Sequence, residues 1–332
     1  MLKGVFQTLP DVKTVACRGQ LVIRPFVENR DEVAWIGITN EYLSRFLGPD
    51  YTPKSQEYME WFKRSPWYNP KEMFVTELDG EPIGVIRVQV DERVGRRYGT
   101  ISIELRLRYV GTEYERRMLL FCLGNLRSRG IPYARTWVRD SMAERIRLLE
   151  AEGFRRIRSF SVMKMRLDEL RHGIRECERI WLRPVEPGRS SDVELLTFLL
   201  NEAFRGQFGF RPTTVEENRA WLTQPDKELH GIFAYWGRTP VGYIVLEISK
   251  RLVEAGRKVG EVGSIGVLRP YRRLGVGTAL MLEGLEWLRR RGMEEAMLEV
   301  DDDNPTGATR LYEKVGFRTV YKVFVYERPV SV

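Results

Sequence analysis

Two adjacent arginines, Arg272 and Arg273, stand before a Gly-x-Gly turn at Gly275 and Gly277, and Thr278 opens the run that follows. A Gly-x-Gly turn lets the backbone come close to a guest. A helix N-terminus offers unpaired N–H groups and the positive end of a dipole. Guanidinium groups add fixed positive charge in a fork geometry. Together these features suit a phosphate or a diphosphate. A plain chain turn would need the glycines but neither the arginines nor the helix start. The dinucleotide pattern G-x-G-x-x-G fails at its third position, which is Leu280, and Leu268 to Leu274 separate the glycine from the strand before it. No G-x-x-x-x-G-K-[ST] phosphate loop exists.

Other chemistries have little to build on. Cys17, Cys122 and Cys177 are far apart and form no C-x-x-C pair, which argues against a disulfide framework or a zinc finger. The two histidines, His172 and His230, exclude a His-rich metal site and leave a Ser-His-Asp triad without support. Metal-free chemistry is expected. The net charge of +8 favours anionic partners, but no aromatic-and-basic RNA-binding motif accompanies it, so nucleic acid is not expected. No apolar run reaches the ~20 residues of a membrane span. The first 19 residues lack the apolar stretch and cleavage site of a secretory leader, so a cytoplasmic protein is expected.

The elements that must position the loop can be read around it. Glu261 to Val267 reads as a strand, ended by Pro270. Thr278 to Arg291 reads as a helix with Met281, Leu285 and Leu288 on one face, and Gly292 suits the residue after its end. Ala296 to Val300 alternates as a strand, Pro305 to Val315 reads as a helix stopped by Gly316, and Thr319 to Glu327 as a last strand.

The same plan occurs twice. Leu21–Ile36 echoes Ile180–Leu196; Gly84 and Gly242 fall at the same place in two hairpins; Leu126–Gly130 echoes Leu288–Gly292; Leu148–Phe154 echoes Leu311–Phe317. The order is the same in both halves, which indicates two copies of one α/β unit with a partly antiparallel, mixed sheet. The expected organisation is an extension at 1–18, a first domain at 19–166, a linker at 167–178 holding a short helix or turn, and a second domain at 179–328.

The run R-x-x-G-x-G (Arg272, Gly275, Gly277), followed by N-x-x-x-A-x-x-L-Y-x-x-x-G-F (Asn304, Ala308, Leu311, Tyr312, Gly316, Phe317), resembles the GNAT superfamily of acetyl-CoA-dependent N-acetyltransferases. The tandem layout is similar to the mycothiol synthase-like group, and Asn201 to Asn218 looks like that group's substrate-side helices. The resemblance implies acetyl-CoA as cosubstrate and no metal. It implies that backbone N–H groups from Arg273 through Leu274, Gly275, Val276 and Gly277 to Thr278 hold the diphosphate, with charge from Arg272 and Arg273. It implies that backbone at Gly266, Val267 and Leu268 pairs with the pantetheine arm, that Val267 N–H meets the thioester oxygen, and that Asn304 bonds the arm or caps the next helix. Tyr312 falls where the family has its general acid, and Glu261 where mycothiol synthase-like proteins place a glutamate that can serve as base. The alternative for Tyr312 is a packed helix tyrosine, and for Glu261 a solvated strand end. The Asp301–Asp303 run could attract a cationic amine. The expected activity is transfer of an acetyl group to a primary amine on a small molecule or a peptide, with a homodimer admissible. A coenzyme A-binding sensor or interaction protein is the alternative of a different class.

The first half keeps the core pattern and loses the chemistry. Set on the second half without gaps at the Leu-Arg-x-Arg-Gly echo, Val110 faces Arg272, Glu113 faces Gly275 and Glu115 faces Gly277. Aligned at the Gly-Phe pairs, Leu149 faces Tyr312 and Ser141 faces Asn304. Two carboxylates in the phosphate cradle would repel the guest, so the first half is expected to be a structural or substrate-shaping copy without a coenzyme site.

Overall fold

The computed structural model describes residues 19–93, 97–170 and 179–330. Cys17, His172, Cys177 and most of the expected linker lie outside the described residues. The first half runs β1 (Leu21–Pro25), α1 (Glu32–Leu47), α2 (Gln56–Arg64), β2 (Met73–Leu78), β3 (Glu81–Val90), β4 (Gly99–Leu105), α3 (Glu113–Ser128), β5 (Tyr133–Arg139), α4 (Ala143–Ala151) and β6 (Arg155–Arg166). The second runs β7 (Ile180–Pro184), α5 (Ser190–Phe204), α6 (Val215–Leu222), β8 (Lys227–Trp236), β9 (Thr239–Ser249), α7 (Lys250–Glu254), β10 (Val259–Val267), α8 (Val276–Arg290), β11 (Glu295–Asp301), α9 (Ala308–Val315) and β12 (Arg318–Pro329). The repeat is thus present element by element, with the one-turn helix α7 added to the second half.

The strands form one twelve-stranded mixed sheet, ordered β1-β2-β3-β4-β5-β12-β6-β11-β10-β9-β8-β7. Only β4/β5 and β10/β11 run parallel; the other neighbours are antiparallel. The centre of the sheet is exchanged between the repeats. β6 ends the first repeat but pairs with β11 of the second, and β12 ends the second repeat but pairs with β5 of the first. The boundaries 19–166 and 179–328 are therefore limits of the sequence repeat, while in space each half is completed by the other's last strand. The cores follow. Met163 and Met165 of β6 pack with Leu298, Val300 and Phe317, and Tyr326 and Val330 pack with Ala134 and Phe154. Charged groups cross the same seam: Arg158 grips Asp301 through two 2.8 Å bonds, and Arg135 Nε meets Glu327 at 2.6 Å.

Helix α8 forms because its apolar residues recur every three to four positions. Leu280, Met281, Leu285 and Leu288 are all fully buried against the sheet. Gly292 takes the left-handed φ of 79° after the helix end. The helix read from Pro305 begins instead at Ala308, with Gly307 as its N-cap at φ 72°. Asn304 accounts for the difference. Its side-chain oxygen accepts from the Thr306 N–H at 2.9 Å and hydroxyl at 2.7 Å, folding residues 304–306 into a turn. Asn304 therefore does not cap the helix.

Candidate functional site

Strands β10 and β11 are registered over only three pairs, ending at Glu261↔Met297. A bulge at Gly263, between Val262 and Ser264, then turns β10 away. The gap opens at the C-terminal ends of two parallel strands, where open α/β sheets bind ligands. It leads into a cavity of about 760 Å³. The cavity is walled by β10 from Glu261 to Val267, by Glu299 and Asp301 of β11, by the loop entering α8, and by Tyr312 on α9. Phe160 of β6 also lines it, so both halves shape one cleft.

The loop has the form of an anion cradle. Arg273 holds a positive φ of 64° and Gly275 one of 90°. The positive φ of Arg273 is a strained conformation for a residue with a Cβ. Among the described residues no partner is found for the N–H groups of Arg273, Leu274 and Gly275, and no side chain caps α8, whose first turn is Val276, Gly277 and Thr278. A Cβ on Gly277 would make only ordinary contacts at 3.5 and 3.7 Å, so packing of the protein does not demand glycine there. What glycine leaves is room for a guest to approach the amide.

Several residues are placed differently from the sequence reading. The Arg272 guanidinium turns inward, donating to Val267 O and Ala203 O, each at 2.9 Å. It ties the loop to β10 and α5 instead of facing the cradle. Arg273 reaches Thr306 O at 3.2 Å across the mouth of the loop. Along β10, Leu268 N–H donates to Val241 O at 2.8 Å. By alternation, Gly266 N–H also faces β9, and Val267 N–H points into the gap. Of the three residues expected to pair with the arm, Val267 alone has its N–H free to do so. Gly266 serves by its size, since a Cβ there would lie 2.6 Å from the Tyr243 ring and 2.7 Å from Ala203. The Asp301–Asp303 run is spent on the seam: Asp301 and Asp303 pair with Arg158, and Asp302 pairs with Ser161 and Lys322. It does not offer free charge to an amine.

The structure brings Tyr312 and Glu261 to the same cavity. Tyr312 is 7 % exposed, and burial pushes its phenol up to about 12. Its ring meets Phe317 edge-on at 6.2 Å. Tyr312 lines the cavity, and its hydroxyl has no hydrogen-bond partner among the described residues. Glu261 faces Glu247 directly across β9/β10, and 42 % of its side chain is open to the cavity. Confinement and the Glu247 charge raise its pKa against the opposing pull of Lys227, whose ammonium lies 3.8 Å away. Lys227 also pairs with Glu247, which accepts from Trp221 Nε1 at 2.7 Å. The first half reaches this corner too: Ser55 Oγ bonds Asp226, and burial and the Lys227 charge lower Lys54 to about 8.

Sequence reasoning weighed Glu299 only as a ribose contact of the rejected dinucleotide pattern, and it missed Arg310 and Lys314. Arg310 and Lys314 stand one turn apart on α9 and add exposed positive charge to the cavity rim. Their i, i+4 spacing on the helix that carries Tyr312 was the available signal.

The corresponding place in the first half is filled. Glu115, set against Gly277, is 1 % exposed and accepts from Gly111 N–H at 2.7 Å. Arg145, which the Gly-Phe alignment sets against Ala308, bonds Glu115 at 2.6 Å and Ile103 O at 2.8 Å. A carboxylate thus sits where the loop would take a phosphate, and a guanidinium crosses the strand gap. The cavity left there is about 10 Å³. Glu113 does not take part; it lies outside, beside Arg116 at 3.3 Å. Arg145→Ala is expected to cost about 3–5 kcal/mol of stability, because it strands a buried carboxylate. Urea unfolding of the variant checks this.

Residues 193–317, all in the second half, match the Acetyltransferase (GNAT) family model. The chain is 34% identical to the mycothiol acetyltransferase of Thermobispora bispora over 190 residues, 55% of this chain and 61% of that protein. It is 30% identical to that of Thermomonospora curvata over 211 residues, 61% of this chain and 66% of that protein. The chain thus spans a little under two thirds of these relatives' length. Two solved structures share the fold over nearly the whole chain. A GCN5-related N-acetyltransferase from Sphaerobacter thermophilus has a TM-score of 0.66 at 23% identity, covering 98% of both chains. A tandem GNAT protein from the clavulanic acid biosynthesis pathway has a TM-score of 0.71 at 16% identity, covering 94% of this chain and 99% of that one. The fold is the tandem GNAT fold. Among the described residues no helix is long and apolar enough to cross a membrane, and no three His, Cys, Asp or Glu converge as a metal site.

Proposed function

We propose that the protein is an acetyl-CoA-dependent N-acetyltransferase that acetylates a primary amine in the cavity of its C-terminal half. The observation that carries this reading is the meeting of three groups on one cavity: an open amide cradle, an unpartnered Tyr312 hydroxyl and a confined Glu261 carboxylate. A cofactor sensor needs the first and has no use for the other two.

Acetyl-CoA supplies an acetyl group activated as a thioester. The N–H groups from Arg273 to Thr278 hold its diphosphate, with Arg273, Arg310 and Lys314 adding positive charge at the rim. Val267 N–H donates to the oxygen that gains charge during transfer. Glu261 takes a proton from the acceptor's ammonium, which must be neutral to attack. Tyr312 donates its phenolic proton where the sulfur departs, and its raised pKa keeps that proton in place at neutral pH. Arg272 positions the loop through its two carbonyl bonds. The first half holds no coenzyme; it lends β6 and Phe160 to the cleft.

Release of free thiol from acetyl-CoA in the presence of a panel of primary amines tests the proposal. Turnover that depends on the amine is expected, and acetyl-CoA binding with no turnover of any amine would leave the sensor reading standing. The pH profile carries a second test. Glu261 acts in its ionised form and its pKa is raised, so kcat/KM rises with pH through that raised value. Glu261→Gln is expected to lower kcat/KM about 10²- to 10⁴-fold and to remove that rising limb.

A further inference from the structure

Three carboxylates stand side by side on one face of the sheet. Glu247 and Glu261 are directly opposed across β9/β10. Glu261 pairs with Met297, so Glu299, two residues on, shares that face of β11. Like charges set directly opposite in a sheet destabilise it. Lys227 answers the first two, pairing with Glu247 and lying 3.8 Å from Glu261. Lys54, the other ammonium at this corner, packs over the Tyr58 ring at 4.0 Å. Glu299 has no cation and no hydrogen bond among the described residues. Glu299 lines the cavity and its side chain is open to it, and confinement between the cavity walls together with the Glu261 charge pushes its carboxyl up to about 6. Val162 on β6 and Tyr321 on β12 face it from the next strands; the Lys164 ammonium, one pair along on the same face of β6, is taken by Asp50 and Glu295, and the Arg139 guanidinium lies over the Tyr321 ring at 3.7 Å. A second feature independently marks the same cavity as a place for a ligand: the Tyr312 hydroxyl, on a side chain 7 % exposed, is also unpartnered.

We propose that the acceptor is a small dication, whose reacting nitrogen lies at Glu261 and whose second ammonium is held by Glu299. This rests on the acetyl-transfer reading and narrows it to short diamines and amines of like charge. Strand geometry puts the two glutamates about 8 Å apart at their backbones, from one strand spacing across and two residues along. That separation suits two ammonium groups joined by a chain of about four carbons. A monoamine would leave Glu299 unanswered in a confined site, where a charge-assisted hydrogen bond contributes most.

The test is calorimetric binding of 1,4-diaminobutane, 4-amino-1-butanol and 1-aminobutane to the full chain loaded with coenzyme A. Diaminobutane is expected to bind about tenfold more tightly than either monoamine, the size of one hydrogen bond to a charged group. In Glu299→Gln the ratio is expected to fall to near one, and in Glu299→Asp to recover in part. Equal affinities in the wild type, or a ratio unchanged in Glu299→Gln, overturn the proposal. Binding is read without turnover. Failure of every amine to be acetylated would count against the transferase reading, whereas loss of the diamine preference would count against this one.

Discussion

The Gly275→Glu, Gly277→Glu double variant is expected to lose affinity for acetyl-CoA by a factor of about 10² to 10⁴, the equivalent of two hydrogen bonds to charged groups. The loop presents amides that nothing among the described residues uses. A carboxylate placed among them would accept those N–H groups itself and repel a diphosphate. The first half contains that arrangement already: Glu115 stands at the position of Gly277 and takes the Gly111 N–H. A Cβ at Gly277 meets only ordinary contacts and Gly275 has nothing nearer than Ile180 at 3.9 Å, but glutamate at the Gly275 φ of 90° adds about 1–3 kcal/mol of backbone strain, so Gly277→Glu alone is titrated beside the double variant. Circular dichroism with a thermal melt establishes folding. Titration with acetyl-CoA reads the affinity.

Tyr312→Phe is expected to lower kcat about 10²- to 10⁴-fold, the range for a general acid, while acetyl-CoA affinity changes little. The ring is buried against Phe317 and would stay there as phenylalanine. Only the hydroxyl is lost, and it bonds nothing among the described residues, so their packing has no stake in it. A packed tyrosine with no chemical task would give a variant with unaltered kcat. Single-turnover rates at saturating acetyl-CoA separate the two results, because they exclude product release.

Much of this architecture could be read in the sequence. The recurrence of Gly84 and Gly242, and of the Leu-Arg-x-Arg-Gly and Gly-Phe echoes, located the repeat. Helical spacing placed Met281, Leu285 and Leu288 on the buried face of α8, where they lie. The exchange of β6 and β12 could not be read, because alternation along a strand fixes which face a residue occupies and says nothing of which strand lies beside it. Arg272 was misplaced for a related reason. A guanidinium fork suits backbone carbonyls as well as phosphates, and only the position of Val267 O and Ala203 O decides between them. Glu113 and Glu115 were both assigned to the cradle. Two residues apart on a helix they face about 200° apart, so one is buried and the other is solvated. Glu299 carries no motif; its place beside Glu261 follows from the parallel register of β10 and β11.

One measurement bears most directly on the whole account: the number of acetyl-CoA molecules bound per chain, by calorimetric titration of the intact protein. The cavity of about 760 Å³ beside an open loop, against one of about 10 Å³ behind Glu115 and Arg145, predicts a single site. Two equivalents per chain, or none, would contradict it.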